Sequence, residues 1–86
     1  MPSNDELIKD RGSEYGDFCT QANIAQGLKM FVRNGISWSS MGNSKKEAID
    51  MCLHKISRIV NGNHSNIDSW QDASAYLQLI VKEITK

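Results

Sequence analysis

From Ala48 to Val60 the chain reads AIDMCLHKISRIV. Seven of its apolar residues, Ala48, Ile49, Cys52, Leu53, Ile56, Ile59 and Val60, have the three-and-four spacing of a helix and not the alternation of a strand. They cover one wide face, and a helix with that much apolar surface must pack against other helices. Ser44 before the run, with Glu47 three residues later, has the spacing of a capping box, so the predicted helix spans about Lys45 to Val60. NGNHSN then ends it, with Gly62 suited to a left-handed turn.

The same logic places three more helices. A short one runs from about Asn4 to Asp10, capped by Ser3 or Asn4 and broken at Gly12. Asp17 caps a second, from Phe18 to Arg33, which stops at Asn34-Gly35. Phe18, Ile24, Ala25, Leu28, Phe31 and Val32 gather on its apolar side, and close helix–helix approach accounts for Gly27 within it. The last helix, about Ser69 to Ile84, is expected to be capped by Asp68 and to bury Trp70, Ala73, Leu77, Ile80, Val81 and Ile84. The only proline is Pro2, and no strand pattern is sustained anywhere. The expected architecture is a single all-α domain over residues 1–86, a small antiparallel bundle of three long helices plus a short N-terminal one.

So small a chain buries a modest share of its surface, and self-association is a common remedy, so a homo-oligomer is expected. Ten acidic and ten basic residues cancel, leaving no general field for a DNA or RNA backbone. No apolar run is long enough to span a bilayer, and MPSNDELIKD is too polar for a signal peptide. Two cysteines, Cys19 and Cys52, make no disulfide framework, so the expected location is the cytoplasm. Neither zinc-ligand spacing nor a nucleophile signature is present.

The chemistry-bearing residues sit on helix edges. Glu47, Asp50, His54 and Arg58 share a polar arc, and Lys55 lies at the margin of the apolar face. On the last helix Asp68, Asp72 and Tyr76 recur every four residues. A short loop makes the two helices neighbours, so Lys55 or Arg58 is expected to face the Asp72–Tyr76 edge. One reading is an ion-pair network with a tyrosine hydrogen bond that holds two helices in register. The other is a groove in which cations take phosphate oxygens, or carboxylates take Mg2+. Trp38, in a polar loop, is a candidate for stacking on a base.

EYGDF at Glu14–Phe18, the basic pair in HKISRI, and DSWQDASAYLQL together resemble a group of small bacteriophage and prophage proteins. The matching positions are Tyr15, Gly16, Asp17, Lys55, Arg58, Asp68, Trp70, Asp72 and Tyr76, within a match that covers about residues 11–80. The layout is similar to the nucleotide-modification-associated phage domain, and more remotely to MazG-like nucleotide pyrophosphohydrolases. That resemblance implies an all-α fold, a phage origin and a link to nucleotides, and with a phage origin the expected cytoplasm is that of the host cell. MazG-like enzymes hold Mg2+ with E-x-x-E on one helix and E-x-x-D on a later one. Glu47-x-x-Asp50 fits the second pattern, but Phe18–Arg33 contains no acidic residue, so Asp68 and Asp72 would have to stand in.

The leading expectation is therefore a phage-encoded, non-catalytic protein that binds a phosphorylated nucleotide, cyclic forms included, between helices or subunits and so sequesters a host defence signal. Its ligand-binding candidates are Tyr15, Asp17, Trp38, His54, Lys55, Arg58, Asp68, Asp72 and Tyr76. One alternative is a Mg2+-dependent pyrophosphohydrolase with Glu47, Asp50, Asp68 and Asp72 on the metal. The other is a module that binds a host protein through an exposed helix face, where Leu79 interrupts the acidic stripe.

Overall fold

The computed structural model describes Ser3 to Lys86 and is all-helical, with no strand among the described residues. In chain order come α1 (Asn4–Tyr15), α2 (Phe18–Val32), a single 3-10 turn (Trp38–Ser40), α3 (Asn43–Asn61) and α4 (Ile67–Ile84). None is long and apolar enough to cross a membrane.

Side-chain contacts order the helices around α3. On one side of it, Gln21 of α2 and Arg33 just past its end reach Ser57 and Asp50. On the other, Ala73, Asp72 and Glu83 of α4 meet Cys52, Lys55 and Ser44. Cys52 and Ser57 point about 140° apart around α3, so α2 and α4 flank it on opposite sides, forming a bundle one helix thick. The buried residues are small or slender: Ala25, Ala48, Cys52 and Ile59, with polar Gln21, Ser57 and Ser69. Ser57 is fully buried and fully engaged. Its Oγ donates to the His54 carbonyl at 2.6 Å and accepts from Gln21 Nε2 at 3.3 Å, so the hydroxyl carries no desolvation penalty.

Several sequence expectations need correction. α1 runs through Gly12 to Tyr15, because a helix interior tolerates glycine at about 1 kcal/mol. It ends at Gly16, whose φ of +77° no side-chain-bearing residue adopts readily. Asp17 caps α2 as expected, accepting from the Thr20 amide at 3.0 Å, and Arg33 forms the C-cap. The capping box at Ser44 does not form. α3 starts at Asn43 behind Gly42, and the Ser44 hydroxyl donates to the Glu83 carboxylate at 2.9 Å. Asn66, not Asp68, caps α4, with its side chain accepting from the Asp68 and Ser69 amides. Gly27 has nothing within 4 Å of where a Cβ would stand, so close helix approach does not explain it.

The largest departure concerns the apolar faces. Phe18, Phe31, Ile56, Val60, Trp70, Leu77, Val81 and Ile84 were expected in the core and are exposed. With α2 and α4 flanking α3, only about half of each apolar arc has a neighbour. The wide face of α3 is split: Ala48, Cys52 and Ile59 pack toward α4, while Ile49, Leu53, Ile56 and Val60 lie about a quarter turn away.

Candidate functional site: a cationic cleft under the end of α1

The junction between α1 and α2 is built on the end of α3. Asn61 Nδ2 donates to the Tyr15 carbonyl at 2.9 Å and to the Asp17 carbonyl at 3.0 Å, holding the turn through Gly16. The Asn63 amide donates to the Glu14 carbonyl at 2.6 Å, and Glu14 Oε2 accepts from Asn66 Nδ2 at 2.9 Å and Asn63 Nδ2 at 3.3 Å. Glycine is required on both sides. A Cβ on Gly16 would overlap the Asn61 carbonyl oxygen, and one on Gly62 would overlap the Glu14 carbonyl oxygen. The EYGD segment and the NGN segment therefore interlock backbone to backbone.

This interlock sets Tyr15 at the mouth of a cleft of about 360 Å3, a size within the range of small-molecule sites. Ile8, Arg11, Gly12 and Tyr15 of α1 form one wall. Gly16, Asp17, Phe18 and Gln21 form the entry to α2, and His54 and Arg58 come from α3. The Arg58 guanidinium lies over the Tyr15 ring, 4.4 Å from its centre, within cation–π range. Its Nε is buried and without a partner among the described residues. Burial lowers the His54 pKa from its ordinary value, and the charges of Arg58, Lys29 and Lys55 lower it further, so the imidazole is neutral near pH 7. Arg11 and Arg58 bring two cations to the cleft lining against one carboxylate, Asp17, in a chain of zero net charge. The N-terminus of α2 adds its partial positive charge, partly offset by the Asp17 carboxylate that caps it.

The candidate residues divide into groups. Tyr15, Asp17, His54 and Arg58 meet at the cleft. Lys55 and Asp72 form an ion pair at 3.1 Å between α3 and α4, so the bridge expected at that edge exists. Arg58 does not join it, being turned to Tyr15, so of the two candidate cations Lys55 is the one that faces the Asp72–Tyr76 edge. Tyr76 is half-buried on α4 and Asp68 is exposed in its first turn; neither lines the cleft. Trp38 belongs to another cluster, with Arg33 4.9 Å and Lys46 5.8 Å from its ring centre. Arg33 also pairs with Asp50 at 3.0 Å. At 1.5 Å per residue, Asp50 of that cluster lies about 6 Å along α3 from His54 and about 12 Å from Arg58. Leu79 is exposed, as the stripe position implied.

No family model, curated protein or solved structure matches the chain.

The carboxylates proposed for Mg2+ do not fit a metal centre. Asp50 is held by Arg33 and Asp72 by Lys55, and no group of three potential ligands forms among the described residues. Sequence reasoning missed Ile8, Arg11 and Gln21 in the cleft. The signal for the first two was available. Ile8, Arg11 and Tyr15 have the i, i+3, i+7 spacing of one helix face, hidden only by ending α1 too early at Gly12. For Gln21 there was no signal, because its role depends on Ser57 of another helix.

Proposed function

We propose that the protein binds a phosphorylated nucleotide in the cleft between α1, α2 and α3 and does not transform it. One observation carries this reading: the Arg58 guanidinium, with an unpartnered Nε, stacks over Tyr15 beside Arg11 and His54 in a concave site. Arginine offers a planar fork of donors to phosphate oxygens. Tyr15 and Phe18 offer apolar ring surface to a base. A neutral His54 accepts a proton when an anion arrives, adding a charge-assisted hydrogen bond. Lys55, paired with Asp72 outside the cleft, makes no direct contact in this reading.

The antiparallel bundle expected from sequence belongs to this reading, supported by contacts that join Ser44 to Glu83 and Lys55 to Asp72 along α3 and α4. So does the phage setting that the resemblance implies. There a binder without turnover would act by sequestering a nucleotide signal of the host, at a stoichiometry set by its own abundance. Dispersal of Glu47, Asp50, Asp68 and Asp72 favours binding over pyrophosphate hydrolysis.

Calorimetry tests the reading with inorganic phosphate, a nucleoside, and mono-, tri-, cyclic and dinucleotides. At least one nucleotide should bind tighter than about 1 mM, worth about 4 kcal/mol. Arg58→Ala should weaken it roughly tenfold to a hundredfold, the value of a charge-assisted contact. A panel in which nothing binds at millimolar concentration sinks the proposal.

A further inference from the structure

The face of the bundle away from the cleft is apolar across all three long helices. The Lys55–Asp72 and Arg33–Asp50 pairs identify the polar side. Opposite them, at about 100° per residue, lie Ile24, Leu28 and Phe31 of α2, Ile49, Leu53, Ile56 and Val60 of α3, and Trp70, Leu77, Val81 and Ile84 of α4. Their exposure is large: Phe31 is 78% exposed, Val60 64%, Leu77 54% and Ile84 64%. The edges of this face carry uncharged Thr20, Asn23, Ser74 and Gln78, and the first turn of α3 adds Lys45 and Lys46 at one end.

The size of the molecule says how much surface is left without a neighbour. A compact 9.6 kDa protein exposes about 5,100 Å2, whereas this chain exposes 6358 Å2. Its radius of gyration is 14.7 Å, against about 12 Å for a compact domain of this length. α1, which buries no residue, accounts for part of the excess. A standard protein–protein interface takes about 800 Å2 from each partner, and the excess is large enough to supply that.

We infer that a second copy of this chain covers the apolar face, completing one hydrophobic core between two three-helix layers. A rim charged only at the first turn of α3, and without an acidic residue, offers little to select a foreign charged partner. A self-complementary apolar patch centred on α3 suits the two-fold contact of an obligate homodimer, whose interface resembles a domain core cut in half. The cleft stays on the outer surface of each subunit. The dimer therefore presents two separate ligand sites, and the partner does not complete either one, in contrast to a groove formed between subunits.

Light-scattering mass at micromolar concentration tests this independently of any ligand. The wild-type chain should run at about 19 kDa, twice its 9.6 kDa. Val60→Glu and Leu77→Glu replace exposed side chains, so each should give a monomer that keeps its helical circular dichroism. Met30→Glu, on the outer side of α2 beside Arg33, should leave the dimer intact. A second measurement covers the case in which the face variants unfold. Hydroxyl-radical labelling of Trp70 and Leu77 in the wild type should rise on dilution, while that of Trp38 stays constant. A monomeric wild type overturns the inference. So does a dimer that survives both face variants, or Trp70 and Leu77 labelling that does not change with concentration.

Discussion

Replacing Gly16 by alanine tests the interlock that builds the cleft, and Gly12→Ala, four residues earlier, provides a control of opposite sign. Gly16 has φ +77° and ψ −169°, a region essentially reserved for glycine, where a side chain costs about 1–3 kcal/mol. The new Cβ would also overlap the Asn61 carbonyl oxygen and stand 2.7 Å from Asn61 Nδ2. Asn61 must then move, releasing its two hydrogen bonds to the Tyr15 and Asp17 carbonyls at about 1 kcal/mol each. The expected loss is about 3–5 kcal/mol, a large share of the roughly 4–13 kcal/mol available to a domain of this size. At about 4–8 °C per kcal/mol, Tm should fall by at least about 12 °C. Gly12 lies inside α1 with nothing within 4 Å of its Cβ position, so Gly12→Ala should gain about 0.5–1 kcal/mol. Urea and thermal unfolding followed by circular dichroism, at one protein concentration, measure both. If Gly16→Ala lies within about 1 kcal/mol of wild type, or moves in the same direction as Gly12→Ala, the strained turn is not what holds α1 to α3.

Three further outcomes are expected. His54 has a folded-state pKa below its ordinary 6.5, first through burial and then through Arg58, Lys29 and Lys55, so the unfolded chain gains a proton there before the folded chain does. Its contribution to stability is complete above pH 6.5 and is lost as pH falls below that value toward the folded pKa. Urea unfolding across this window should show the loss, and His54→Gln should reduce it. Asp72→Asn should cost less than about 1 kcal/mol by urea unfolding, because Asp72 is half exposed and solvent screens its pair with Lys55. Cys19 is exposed, whereas burial raises the Cys52 thiol pKa and its Sγ lies 3.2 Å from the Ala73 carbonyl. A thiol reagent should therefore modify one cysteine quickly and the second only on unfolding, with equal rates counting against the α3–α4 packing.

Helix count, type and approximate span were legible in the sequence, because apolar periodicity and turn residues are local properties. Three helix ends nonetheless went to another residue: Gly16 and not Gly12, Gly42 and not Ser44, Asn66 and not Asp68. In each case a tertiary partner or an adjacent residue offered the backbone or the side chain a better hydrogen bond. Ser44, for instance, bonds Glu83 across the bundle. The Lys55–Asp72 pair was also legible, since a short loop forces α3 and α4 together and Lys55 and Asp72 then share an edge.

By itself, the sequence determined that this chain is helical, that each long helix has an apolar arc, and that cations and aromatics lie on helix edges. All of these follow from the angle between successive residues on one helix. Tertiary structure alone decided which half of each arc is covered, that Arg58 turns to Tyr15 and away from Asp72, and that Arg11 joins them. These depend on where α1 and α2 lie relative to α3. That placement is set by contacts between residues far apart in the chain, Asn61 with Tyr15 and Gln21 with Ser57, which leave no trace in local spacing.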